Sequence, residues 1–272
     1  MRLNSQVAPH YLPDLQQQTV LRLGLQALNP STWMQRDQDY LQFLRHKQSV
    51  VQQFPTKVYG ALPESEAAQV EFHQCLLAHL QDDHAEVELP EKRFVSLWQS
   101  SLAVQEDICL LEQRGDRYIL TAASVCSPSN WKLEEKIGRD LDMIHRPVPR
   151  YDHALSARVN RLFHKLKVDA PLLRYNWSLQ DSNELFWRSD LSGPVDTTDP
   201  QWFWRVERQT LRRLPQTDGI VFTIRIYLHP IEQLCTNPKF LSSLTTMING
   251  LPTDERSYKG LHRWLDKVKE HL

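Results

Sequence analysis

Residues 202–228, WFWRVERQTLRRLPQTDGIVFTIRIYL, carry the clearest structural signal in the chain. Two long runs rich in β-branched and aromatic residues flank PQTDG at 215–219, and such a pattern predicts an antiparallel hairpin. Pairing Leu214 with Ile220 would put Gln209 opposite Arg225, Glu207 opposite Tyr227 and Arg205 opposite His229. Side chains alternate faces along a strand. In that register Arg205, Glu207, Gln209, Thr223, Arg225, Tyr227 and His229 share one face. Trp204, Val206, Ile220, Phe222, Ile224 and Ile226 share the other, an apolar core face. A slip of one residue would break the grouping. The polar face admits two readings. It is either the wet side of a sheet, with pairs such as Arg225 and Glu207, or the lining of a polar pocket.

Working outward, 107–111 and 118–125 are short apolar runs around the turn QRGD at 113–116, a second hairpin. Further strands are expected at 172–179 and 184–188. Between the second hairpin and these strands Leu155, Val159, Leu162, Phe163 and Leu166 recur at the spacing of an amphipathic helix. Before the first hairpin, Thr32 is positioned to cap a helix running to about Phe54, with Met34, Leu41, Leu44, Val51 and Phe54 as its apolar positions. A second helix is expected from Glu64 to Leu80, then an acidic loop over 81–92. Two helices close the chain, near 238–249 and 256–270. No repeat or low-complexity linker divides it. Helices, then antiparallel strands around a central helix, then helices give an α+β fold.

At 272 residues the chain can bury a sizeable core without staples. Lysine plus arginine number 32 and aspartate plus glutamate 33, so the basic excess of a nucleic-acid or membrane-surface binder is missing. Cys75, Cys109, Cys126 and Cys235 form no CxxC pair and no CxxCH haem-attachment site. They read as free thiols of a reducing compartment. The N-terminus lacks an apolar signal core, and no run approaches the ~18 apolar residues of a membrane span. A cytoplasmic location is the expectation.

The second informative stretch is 124–151, SVCSPSNWKLEEKIGRDLDMIHRPVPRY. Pro147 and Pro149 fix two φ angles after His145 and push Arg146 and Val148 toward extended backbone. A histidine held this way suits a metal or haem ligand, which needs one distance and one orientation. The plainer reading is a Pro-rich connector with an exposed histidine.

NWKLEEKIGRDLDMIHRPVPRY resembles a segment of the haem-dependent oxidative N-demethylase family, in particular its haem-carrying subunit. QEDICLL at 105–111, YNWSL at 175–179, RVERQTLRRLP at 205–215 and FTIRIYLHPI at 222–231 resemble the same family in the same order. The resemblance spans roughly residues 50–260. It implies a PAS-like sheet with packed helices, with residues 1–55 as an N-terminal arm and helix and 56–272 as the haem-binding domain. It further implies non-covalent haem b, with His145 as axial ligand and His229 as its rival. Arg205 and Arg225 are then cofactor-binding candidates, while Arg225, Glu207 and Tyr227 are catalytic candidates. An arginine would pair with a propionate or with oxygen-derived charge, and Glu207 would hold an ammonium group or relay protons.

The implied activity is oxidative N-demethylation of a small amine with oxygen. The chain has no Gly-rich nucleotide fingerprint and no iron–sulfur cysteine set, so electrons would come from a separate flavin/iron–sulfur reductase. The competing reading is a non-catalytic haem sensor or carrier, because fold does not fix function.

Overall fold

The structure is a computed structural model describing residues 23–82, 95–151, 155–191 and 201–261. Seven strands form one sheet in the order β1-β5-β6-β7-β3-β4-β2. In chain order they are β1 (Gln26–Ala27), β2 (Tyr59–Ala61), β3 (Asp107–Arg114), β4 (Arg117–Ser124), β5 (Leu172–Gln180), β6 (Phe203–Arg213) and β7 (Ile220–Pro230). Every pairing is antiparallel. Both expected hairpins are present, with β7 at the centre of the sheet. The segment expected as a strand at 184–188 makes only an isolated bridge, Ser129 with Trp187.

The register of the β6–β7 hairpin differs from expectation by one residue. Its closing pair is Arg213 with Ile220, not Leu214 with Ile220. The turn supplies the reason. Leu214 donates its N–H to the Gly219 carbonyl at 2.7 Å, and Asp218 adopts a left-handed φ of 62°, so Leu214 belongs to the loop. Arg208 therefore lies opposite Arg225, Val206 opposite Tyr227 and Trp204 opposite His229. Arg205, Glu207 and Gln209 point to one face, the front. Arg225, Tyr227 and His229 point to the other, the back.

The helices are α1 (Tyr40–Gln53), α2 (Pro55–Val58), α3 (Glu66–Asp82), α4 (Leu97–Ser101), α5 (Leu133–Lys136), α6 (Leu141–His145), α7 (Ser156–Lys165), α8 (Ile231–Cys235), α9 (Pro238–Gly250) and α10 (Thr253–Tyr258). On the back face, Phe72 and Leu76 of α3 pack with Trp33, Ile108 and Val221. Further along, Trp204 stacks on Trp177 at 4.6 Å, with Phe240 and Leu244 of α9 over them. On the front face, α6 and α7 place Leu141, Val159 and Phe163 against Leu120, Leu211 and Ile220. Among the described residues no helix is long and apolar enough to cross a membrane.

The first long helix starts at Tyr40, not at Thr32, which instead ends a 3-10 turn. The intervening backbone donors are taken by side chains from elsewhere. Gln35 N–H donates to Glu106 at 2.9 Å and Asp37 N–H to Gln105 at 3.0 Å. In α1 the inward residues are Phe43, Lys47 and Val50, whereas Leu41 is 61% exposed. Most of the expected 81–92 loop and the end of the last expected helix lie outside the described residues.

Candidate functional site

The central strand of a covered sheet normally buries both of its faces. On β7 the front-face residues Phe222 and Ile224 are only partly buried. Their neighbours across the front face, Glu207 on β6 and Arg174 and Asn176 on β5, are partly buried too. The front face is thus less covered at mid-sheet, where two apolar side chains sit beside charged ones.

His145 comes to this face on the last residue of α6. Asp140 caps that helix by accepting the Met143 N–H at 2.8 Å. The backbone differs from the extended segment that the prolines suggested. Arg146 is right-handed helical, at φ −48° and ψ −34°, and the reversal falls later, with Arg150 at φ 56°. The ring is held by two other contacts. Nδ1 lies 2.8 Å from the Leu141 carbonyl, and the ring stacks on Tyr151 at 4.8 Å and 11°. A carbonyl only accepts, so Nδ1 carries the proton and Nε2 keeps its lone pair. Burial lowers the imidazole's pKa, and the nearby positive Arg174 lowers it further, so the ring is neutral at neutral pH.

Glu207 is held from three sides. Its Oε2 accepts from Asn176 Nδ2 at 3.1 Å and from Gln209 Nε2 at 2.8 Å, and its Oε1 accepts from Arg205 Nε at 3.2 Å. Burial works against its charge, but Arg205, Asn176 and Lys259 outweigh that and keep the carboxyl below its ordinary value. Arg205 is fully buried. It also donates to Gln180 Oε1 at 3.2 Å and to the Ser127 carbonyl at 2.5 Å. Ser127 and Cys126 are fixed in turn by Asp107, which accepts both of their N–H groups at 2.8 Å.

His145, Arg205 and Glu207 therefore belong to the front side of the sheet. The Arg174 charge acts on His145, Tyr258 and Lys259, and Glu207 acts on the last two. Arg225 and Tyr227 are not brought to this group. Arg225 bonds to Asp37 at 2.7 Å and lies 4.1 Å over Phe43. Tyr227 reaches Gln35, and burial raises its phenol pKa. His229 is buried on the back face, opposite Trp204.

Arg174, Asn176 and Lys259 were not among the sequence candidates. The alternation of LLRYNWSLQ at 172–180 could have raised the first two, since they share a face with Gln209 and Glu207. Lys259 has no local signal, because only the docking of α10 onto β5 brings it in.

Among the described residues no three His, Cys, Asp or Glu side chains form a cage for a bare metal ion. A single neutral imidazole with an open Nε2 suits a metal that brings its other ligands with it, as a porphyrin does. Arginines near that face suit carboxylate side arms. The donor set thus fits haem. A family model described as haem-dependent oxidative N-demethylase, alpha subunit-like, matches residues 24–92 and 90–269, and the chain belongs to that family.

Proposed function

We propose that this chain is the haem-carrying subunit of an oxidative N-demethylase acting on a small amine. His145 Nε2 is the axial ligand of non-covalent haem b, and the observation that carries this is the Nδ1 bond to the Leu141 carbonyl. That bond orients the ring and raises its basicity as a ligand, the usual service of an outer partner to a ligating histidine. Haem supplies oxygen activation and one-electron chemistry. The chain's own residues do the rest. Arg174 places positive charge on the front face, suited to a propionate, while Arg205, buried and bonded to Glu207, Gln180 and the Ser127 carbonyl, supports the carboxylate. Glu207 is ionised and partly desolvated, suited to hold an alkylammonium beside the apolar floor of Phe222 and Ile224. Arg225 and Tyr227, committed on the back face, serve the fold in this reading.

Electrons come from a separate flavin/iron–sulfur reductase, and oxygen is the co-substrate. The antiparallel sheet with helices on both faces supports a PAS-like domain. The described parts of 1–55 and 56–272 read as one unit, because Lys47 of α1 donates to the Ser101 and Glu106 carbonyls at 2.9 and 2.6 Å. The four free cysteines support a reducing, cytoplasmic location. The test is to load the chain with haemin and supply a flavin/iron–sulfur reductase, NADPH and trimethylamine. Amine-dependent formaldehyde release supports the reading. Steady reduction of haem without amine turnover across a panel of methylamines would favour a carrier.

A further inference from the structure

Glu207 is held by a chain of bonds that begins outside the sheet. Lys259 follows α10, and its Nζ donates to Asn176 Oδ1 at 2.6 Å and to the Trp177 carbonyl at 2.7 Å. An Asn oxygen engaged by the lysine nitrogen as donor turns the amide so that Nδ2 faces the other way, and here Nδ2 meets Glu207 Oε2. With Gln209 on the same oxygen, both lone pairs of Oε2 are used. Among the described residues Oε1 accepts from Arg205 alone and keeps one lone pair open.

The backbone around Lys259 is built to deliver it. Leu179 donates its N–H to the Lys259 carbonyl at 3.1 Å. Gly260 follows at φ +73°, and a Cβ there would lie 2.8 Å from the Leu179 carbonyl oxygen. Glycine at that position lets the chain end of α10 touch the edge of β5.

Resting on the amine-binding role given to Glu207 above, we propose that Lys259 is a positioning residue for substrate recognition. Through Asn176 it fixes the Glu207 carboxylate so that one lone pair of Oε1 faces the substrate. The substrate class follows. It is an alkylammonium with at least one N–H to donate, so tertiary and secondary amines qualify and quaternary ammonium ions do not.

Lys259 also has an electrostatic part. Burial lowers its amine to about 7, against the pull of Glu207, with Arg174 adding to the lowering and Glu255 opposing it. Among the described residues those groups, with the Tyr258 ring, are the charged and titratable neighbours that act on it. Above that pH it is neutral and still donates to Asn176. Below it, a second cation stands beside the substrate site. Alkylammonium affinity should therefore rise as pH rises through neutrality.

The experiment uses the haem-loaded full chain titrated with trimethylammonium and tetramethylammonium chlorides, read by the shift of the Soret band. Wild type should respond to trimethylammonium and not to tetramethylammonium. Lys259→Met and Asn176→Leu should each weaken the trimethylammonium response about tenfold, the loss of one well-placed hydrogen bond. Both should keep the haem band, Lys259→Met should lose the neutral inflection in the pH profile, and Lys259→Arg should recover part of the affinity. Lys259→Met with wild-type affinity and an unchanged pH profile overturns the proposal. If Lys259→Met does not hold haem, Asn176→Leu decides by the same affinity criterion. Glu207→Gln separates the two layers. Normal binding in that variant refutes the amine site itself, whereas weak binding there with normal binding in Lys259→Met refutes the positioning role alone.

Discussion

Replacing Glu207 by glutamine keeps the shape and removes the charge, so its effects on folding and on amine binding can be calculated apart. The carboxylate accepts two amide donors on Oε2 and the Arg205 guanidinium on Oε1. Glutamine can keep its oxygen toward the two amides only by turning its NH2 toward Arg205, donor against donor. Arg205 is 1% exposed, but it retains Gln180 and the Ser127 carbonyl. One spoiled buried hydrogen bond costs ~1–3 kcal/mol. The Glu207 side chain is 17% exposed, so water relieves part of that, leaving ~1–2 kcal/mol. Domains of ordinary stability, ~5–15 kcal/mol, survive such a loss. For an alkylammonium the loss is of a desolvated counter-charge, ~2–5 kcal/mol, or roughly 30- to 5,000-fold in affinity. Urea unfolding should therefore show a lower midpoint with an unchanged slope. The haem-loaded variant should keep its Soret band and lose the amine-induced shift. Undiminished amine affinity would refute the reasoning, and joint loss of haem and amine would mark Glu207 as structural.

Arg225→Met should leave haem and amine binding intact while lowering stability by ~1–3 kcal/mol, because it removes a buried partner of Asp37 and the stack on Phe43; denaturant titration and amine titration check the two halves. Asp107→Asn turns an amide N–H against Cys126 or Ser127, so ~2–4 kcal/mol of stability and part of the Arg205 placement should be lost, visible as a lower unfolding midpoint with weaker haem retention. His145 and His46 both titrate below their ordinary 6.5 because burial disfavours the cation. Between the lowered folded values and 6.5 the unfolded chain holds more protons, so stability of the haem-free chain should fall as pH drops below about 6.5 and level off above it; an unfolding series against pH reads this directly.

The alternation along 203–213 and 220–230 was legible, because period-two patterning is a property of each strand alone. Which two faces coincide was not legible, because that depends on whether Leu214 belongs to a strand or to the turn. The local choice is made by the Leu214–Gly219 bond and the left-handed Asp218. One residue of difference moved Arg225 and Tyr227 away from Glu207. The two prolines after His145 were visible, yet the ring is oriented by a helix carbonyl four residues back and by Tyr151, contacts that spacing does not encode. Met34 and Leu41 fit a helical stripe, but long-range acceptors on Gln105 and Glu106 claim the backbone before Tyr40. Lys259 reaches the site across 83 positions of sequence from Asn176, beyond any local pattern.

His145→Gly tests the central claim most directly. The wild-type chain should bind one haemin with the Soret band of a histidine-ligated iron. The glycine variant, folded by circular dichroism, should lose that band and regain it when free imidazole is added, since the cavity left by the ring admits the same ligand. A variant that keeps the wild-type spectrum without imidazole would contradict the account and turn attention to His229.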